Sequence, residues 1–421
     1  MGRSAAARLK HRLHGAARAL LGSLPRATRF RIYRGMVDCP LALDDTYEFG
    51  IARTREDLEA SFALLHDAYV ASGFMPPHPS GLRVTPYHAL PTTTTLCAKV
   101  GGTVVGTLSI VRDGVFGFPL QTAFDISAVR ERGGRIAEIS ALAVHPAYRR
   151  TGGSILFPLM KLMYEYCTRY FDTRHLVIAV HPKRIELYES LLFFRRLTAQ
   201  TVARYDFANG APAIGATLDL QEAPQLFRRV YGGRPARRDL HRYFVELELP
   251  NIEFPLREWN VSNDPVLTPA LADHFFNVRT QGFTELDERR KRLLHSIYDG
   301  PAWAAVLPRL ASPPPPGSQL RRTPRYTFKC PGTVVPPTGP GPRHAITIVE
   351  VSRNGLRARI DATLEVGTLL TVQAELGAGR QTRVQARVAV ATRTYDGPAY
   401  GLHVAAPDAA WLDCVAWLER A

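Results

Sequence analysis

Apolar and polar residues keep two different rhythms in the two parts of this chain. Before residue 220, short strand-like runs at 47–52, 96–100, 104–111, 136–144, 175–180 and 213–220 alternate with stretches of helical spacing at 55–72, 154–170 and 184–193. Gly101-Gly102 between two of the strands is a hairpin signal. A hairpin followed by β-α-β-α-β predicts a mixed α/β sheet with flanking helices. Residues 264–298 read as mainly helical.

From residue 311 the rhythm changes. Four consecutive prolines, Pro313 to Pro316, exclude a helix or a central strand and predict a stiff spacer. Beyond it come short strands at 345–351, 356–360, 369–376 and 382–394, separated by Gly- or Asp-containing turns. Asp408 then caps a closing helix whose apolar stripe is Trp411, Leu412, Val415 and Leu418. So many short strands in about a hundred residues predict a small β-barrel. The expected division is a basic N-terminal segment (1–45), an α/β domain (46–250), a mainly helical extension (251–310), a linker (311–318) and a β-domain (319–421).

Composition narrows the function classes. No run of 18 apolar residues exists to span a bilayer. Cys39, Cys97, Cys167, Cys330 and Cys414 are scattered and never spaced C-x-x-C, which argues against a disulfide framework or a zinc site and fits a reducing cytosol. His145 and His181 each precede a proline but lack metal-ligand spacing, so no metal is expected. The net charge of +15 asks for an anionic partner or reflects a GC-rich genome. Residues 1–37 hold nine basic residues and no acid. With Leu9, Leu13, Leu20, Leu21 and Leu24 they form either a membrane-surface helix or a basic tail. A secretory signal is disfavoured, because His14 and Arg18 break the apolar stretch. The expected place is the cytoplasm, or the inner face of the membrane if that helix engages lipid; DNA is not expected as a partner.

The densest chemistry is Glu138-Ile-Ser-Ala-Leu-Ala-Val144 followed by His145-Pro-Ala-Tyr-Arg-Arg-Thr-Gly-Gly-Ser154. An apolar strand runs into a basic, Gly-rich turn that opens a helix, and such a helix start is an anion nest. The segment resembles the acyl-donor loop of GNAT-type acyltransferases, Arg/Gln-x-x-Gly-x-Gly/Ala, matched by Arg149 and Gly152 with Ser154 in third place. The resemblance implies a donor-binding set of Arg149, Arg150, Gly152, Gly153 and Ser154. In Ala179-Val-His-Pro-Lys-Arg-Ile-Glu-Leu-Tyr188, Tyr188 matches the family tyrosine beside the donor sulfur. A phenol there can protonate the departing thiolate; the alternative is that its ring only packs.

More narrowly, residues 47–220 resemble the N-acyl amino acid synthases, relatives of the acyl-homoserine-lactone synthases. Glu138, the segment Ala68-Tyr-Val-Ala-Ser-Gly-Phe74 and the segment 210–220 carry the likeness. Ala141 stands where the lactone synthases have an arginine, which weakens S-adenosylmethionine as acceptor. The resemblance implies transfer of a long acyl chain from acyl carrier protein, or a coenzyme A thioester, to a small amine, with no tightly bound cofactor. An amine must be neutral to attack a thioester, so Glu138 is the candidate base or ammonium-orienting group. Its competing role is a salt bridge to Arg135.

After the linker, Arg321-Arg322-Thr-Pro-Arg325 precedes a strand, and Glu350-Val-Ser352-Arg-Asn-Gly355 follows. The pair resembles the Arg-x-x-x-Arg and Asp/Asn-x-Ser-x-x-Gly motifs of PilZ domains, with Glu350 in place of Asp/Asn. The resemblance implies cyclic di-GMP as ligand and a site of Arg321, Arg322, Arg325, Glu350, Ser352 and Gly355. Arginine forks match phosphate and guanine edges, and their planes stack on purines. The expectation is therefore an acyltransferase with an appended nucleotide sensor. The alternatives are a non-catalytic signalling adaptor and an acetyl-coenzyme A-dependent N-acetyltransferase.

Overall fold

The computed structural model describes residues 23–149, 151–262, 264, 266–298, 300–312, 325–335, 342–394 and 397–420. Arg150, Arg321 and Arg322 lie outside the described residues, as do Leu9, Leu13, Leu20 and Leu21.

Helix α1 (Arg26–Gly35) takes up the end of the basic segment, and it does not stand free. Arg26 and Arg29 pair with Glu189 and Glu186 of a later helix, and Arg34 Nε donates to the Ser190 carbonyl. Three of the nine basic residues are thus spent on holding this helix down.

The mixed sheet runs β1–β2–β3–β4–β5–β8–β6. Its strands are β1 (Tyr47–Ile51), β2 (Thr93–Val100), β3 (Thr103–Arg112), β4 (Arg135–Val144), β5 (Thr173–Val180), β6 (Arg195–Arg196) and β8 (Ala211–Asp219), with β7 (Val202–Tyr205) paired to β8 off the path. Among the described strands, β4 and β5 pair in parallel and the rest antiparallel. Neighbouring residues on a strand go to opposite cores: Leu96 and Ala98 to one, Cys97 between them to the other. Helix α2 (Arg55–Ser72), capped by Thr54 and ended by left-handed Gly73, covers the second core with Leu58 and Phe62. Helix α3 (Leu156–Glu165) covers the first with Leu159 and Leu162. The run predicted as one helix over 154–170 starts two residues later, and its last turn, Tyr166–Tyr170, widens to a π-helix. Helix α4 (Pro182–Leu192) carries Glu186 and Glu189 to α1.

The second part is a closed antiparallel barrel, β10–β11–β14–β13–β12–β9. Its strands are β9 (Tyr326–Val335), β10 (His344–Ser352), β11 (Gly355–Ile360), β12 (Leu369–Gly377), β13 (Arg380–Thr394) and β14 (Gly397–Ala406). Alternate residues fill it: Ile346 and Ile348, Leu356 and Ala358, Leu402 and Val404. Helix α5 (Ala409–Arg420) closes it with Trp411, Val415 and Leu418, while Asp408 accepts the Trp411 N–H at 2.9 Å. Leu412, predicted on the apolar stripe, is 39% exposed; buried Cys414 takes the inward place, because the stripe follows i, i+3, i+4, i+7 from Trp411.

Beyond the polyproline spacer, a second connection ties the two parts. Residues 258–262 lie against the barrel, turn tightly at Asn260 where the Val261 N–H donates to the Trp259 carbonyl at 2.7 Å, bury Trp259 and Val261 in its core, and bridge Val261 to Phe328. Gly377 makes room for this strap: a Cβ there would sit 2.5 Å from the Trp259 Cα. Helices follow at Glu288–Ile297 and Pro301–Val306.

Candidate functional site

The parallel ladder of β4 and β5 begins at Arg135 opposite Thr173 and ends at Glu138 opposite Val177. Both strands continue, β4 to Val144 and β5 to Val180, paired to β3 and β8 but no longer to each other. The sheet therefore opens into a V, with Glu138 at its vertex. On the other side, the β3 ladder slips between Ser109–Ser140 and Thr107–Ala143. That bulge holds Ala141 at φ 57°, a strained position of about 1–3 kcal/mol that bends the strand. Beyond Glu138 the backbone groups of β4 and β5 no longer bond each other across this gap.

Glu138 is 2% exposed, and its Oε2 accepts the Leu120 N–H at 2.9 Å. The alternative pairing with Arg135 does not form: Arg135 donates to Ser262 Oγ and to the Phe328 carbonyl instead. Burial raises the Glu138 carboxyl to about 8, with the Leu120 hydrogen bond opposing. A carboxyl that titrates near neutrality is suited to exchange a proton with an amine.

The turn after β4 has the shape that its sequence implies. Arg149 Nε donates to the Val144 carbonyl at 2.8 Å, which ends the strand and leaves the exposed guanidinium at the loop mouth. Gly152 and Gly153 follow with φ of 61° and 77°. A Cβ on Gly153 would strike the Phe157 ring at 2.5 Å, so the turn onto α3 needs glycine. Ser154 is 8% exposed and donates to Thr151 Oγ1 at 2.8 Å, so its hydroxyl points into the turn rather than its mouth. His145 and His181 accept the N–H groups of Ala147 and Lys183, which makes them turn caps. Among the described residues, no cluster of His, Cys, Asp or Glu can hold a metal.

Tyr188 is half-buried on α4 and meets Phe194 edge-on at 5.9 Å. Burial raises its phenol, and Tyr69 adds to the rise. Tyr69 also feels Glu138, so this residue of the 68–74 segment lies within electrostatic reach of both candidates. Arg83 stacks 4.0 Å over the Tyr69 ring, and half-buried His88, its pKa lowered to about 3 by desolvation and by Arg83, faces Ser109 at 3.4 Å. No motif marks Arg83 or His88, and only the fold brings their loop over β4.

On the barrel, Ser352 and Gly355 form the turn between β10 and β11. Ser352 is 6% exposed, its Oγ donates to the Gly355 carbonyl at 3.1 Å, and Trp411 Nε1 donates to the Ser352 carbonyl. Ser352 thus builds the turn in this form. A Cβ on Gly355 would lie 3.0 Å from the Leu402 carbonyl. Glu350 stands at a bulge of β10, with Oε2 3.6 Å from Arg325 Nη1 and accepting no hydrogen bond among the described residues.

Residues 60–219 match the family model for the N-acyl amino acid synthase FeeM, and residues 319–414 match that of the PilZ domain. The chain carries a FeeM-type acyltransferase domain followed by a PilZ domain. The first match spans Glu138, the donor turn and Tyr188; the second spans both arginine and Ser-x-x-Gly motifs. No curated protein matches the chain. Among solved structures it is similar to FeeM from uncultured soil microbes, at 23% identity and TM-score 0.37 over 42% of this chain and 93% of that one. It is also similar to the coenzyme A-dependent acyl-homoserine lactone synthase BjaI, at 20% identity and TM-score 0.35 over 50% and 95%. A third is yncA, a putative acetyltransferase of Salmonella typhimurium, at 18% identity and TM-score 0.31 over 42% and 95%. In the FeeM-type domain, the vertex of the V, the Gly-rich turn and Tyr188 thus fall within one matched unit. Among the described residues, no helix is long and apolar enough to cross a membrane.

Proposed function

We propose that the FeeM-type domain moves a long acyl chain from an acyl carrier protein thioester to the amine of an amino acid or similar small molecule. The observation that carries this reading is Glu138: a buried carboxyl with a raised pKa, at the point where β4 and β5 part. In the proposed reaction the acceptor ammonium loses its proton to ionised Glu138, and the neutral nitrogen attacks the thioester carbon held between the strands. The oxyanion is met by β4 N–H groups, and as the carbon–sulfur bond breaks Tyr188 gives its proton to the thiolate; the nitrogen sheds its second proton to leave the neutral amide, that proton restores the phenol through solvent, and Glu138 releases its own proton to solvent. Exposed Arg149, Lys183 and Arg184 near the turn offer charge to a phosphopantetheine arm and an acidic carrier surface. Arg150 belongs to this set by sequence alone.

The PilZ domain is proposed to bind cyclic di-GMP through Arg321, Arg322 and Arg325, with Glu350 accepting guanine N–H groups beside the Ser352–Gly355 turn. The deciding experiment for the enzyme is mass spectrometry of lipids from cells expressing the wild type and Glu138→Gln. New N-acylated amines that vanish in the variant support the reading. No new N-acylated amine from cells holding folded, soluble wild type overturns it.

A further inference from the structure

A cleft of about 360 Å³ separates the sheet of the acyltransferase domain from the outer wall of the barrel. Small-ligand sites span about 300–1,000 Å³. Glu350, Arg357 and Arg359 line it from the barrel, and Arg112, Arg130 and Arg135 line it from the other domain together with Asp113. Five arginines therefore face two carboxylates across one cleft.

The two walls are held at close quarters. Arg135 donates to the Phe328 carbonyl at 3.1 Å, and Lys329 Nζ meets Asp172 at 2.6 Å. Arg112 is 8% exposed and lies 4.1 Å over the Phe171 ring, donating to the Ser262 and Pro91 carbonyls. Half-buried Arg357 has Thr392 Oγ1 at 3.5 Å and no carboxylate partner among the described residues. Asp172 holds Arg359 at 3.5 Å as well as Lys329, and Asp113 holds Arg130, yet cations still outnumber acids on the two walls, and a bound polyanion offsets that excess.

Resting on the cyclic di-GMP reading above, we propose that the dinucleotide site is shared: the ligand seats in this cleft and is held from both walls, by Arg325, Arg357 and Arg359 of the PilZ domain and by Arg130 and Arg135 of the acyltransferase domain. Glu350, part of the barrel motif, opens directly onto this space. Guanidinium forks on opposite walls suit the ligand's two phosphates. The site also has a mechanical consequence. Arg135 and Ile136 begin β4 at the cleft, and Glu138 is three residues along the same strand. A ligand that draws the walls together acts on the strand that carries the proposed base, and by linkage substrate bound there alters ligand affinity in turn.

The test is titration of the full-length chain with cyclic di-GMP by calorimetry at fixed ionic strength. Arg130→Gln and Arg135→Gln each weaken binding by about tenfold, the worth of one lost charged contact. Asp113→Asn tightens it, because a carboxylate leaves an anion's site and Arg130 loses its competing partner. Arg135 also braces the barrel, but the opposite signs expected at Arg130 and Asp113 cannot both come from a loosened fold. If wild type binds, Arg325→Ala weakens binding and these three variants match wild type, the shared site is wrong and the PilZ reading stands. If wild type does not bind at all, both are wrong.

Discussion

Glu138 faces Val177 at the last rung of the parallel ladder between β4 and β5, and beyond that pair the two strands separate. A carboxyl placed at a fork is buried by the strands that still pair, and in the proposed reaction the acceptor amine approaches it from the gap. The Leu120 N–H is its hydrogen-bond donor, and that single bond does not offset the cost of burying the charge.

Activity should therefore follow Glu138 ionisation. As a base it works deprotonated, so kcat/KM at low acceptor concentration rises with pH through a limb near 8. Glu138→Gln loses that limb and keeps only the one belonging to the acceptor ammonium. An unchanged pH–rate profile in the variant would assign Glu138 an orienting role instead.

Stability should move the opposite way. The folded pKa lies above the ordinary value of 4.5, so the folded state holds a proton that the unfolded chain has released between those pH values. Stability is therefore lost as pH rises from about 4.5 to about 8. Glu138→Gln cannot ionise, so its Tm should fall less over this range and exceed that of wild type above pH 8. Parallel Tm curves for the two proteins would show that burial does not tax the charge.

Tyr188→Phe keeps the edge contact with Phe194 and removes the proton. If the phenol protonates the leaving thiolate, kcat falls by about tenfold or more while donor binding holds, in line with a contribution of about 10²–10⁴ for general acid–base catalysis. Equal kcat in a rapid-quench assay would leave Tyr188 as packing. The same assay with matched long-chain thioesters should favour acyl carrier protein over coenzyme A as donor. Arg149→Ala should weaken the carrier more than the free coenzyme. Faster turnover with acetyl-coenzyme A, and none with the carrier thioester, reverses the donor assignment.

Much of this was legible in the chain. The glycines at 152 and 153 and the alternation of β2, β3 and the barrel strands are local signals, and the fold honours them. The splay at Glu138 is not local: it depends on where β5 parts from β4 and on a bulge at Ala141, an ordinary residue in an unusual conformation. Arg83 and His88 gave no signal because their loop reaches the site only in three dimensions. Ser352 was visible as a motif residue, but its hydroxyl is turned onto Gly355 by a turn that the motif alone does not describe. The strap through Trp259 was hidden for a similar reason, since its apolar residues find their core in a barrel that begins more than sixty positions later.

Arg325 and Glu350 are already neighbours at 3.6 Å, so a ligand that engages the arginine must compete with the carboxylate. Arg325→Ala removes a charged phosphate contact of about 1.5–3 kcal/mol, or roughly one to two decades in Kd for cyclic di-GMP. Arg325→Lys restores the charge without the fork and should recover only part of that loss. Glu350→Asp shortens the side chain and draws the carboxylate away from Arg325, so affinity should stay equal or rise. Glu350→Ala separates two roles for the carboxylate. Tighter binding would mean that Glu350 mainly competes for Arg325. Weaker binding would mean that it accepts guanine N–H groups, a contact that Glu350→Gln, with its one carbonyl acceptor, should partly rescue. Calorimetry on the full-length variants at one salt concentration decides between them, and an unchanged Kd across Arg325→Ala would remove this arginine from the site.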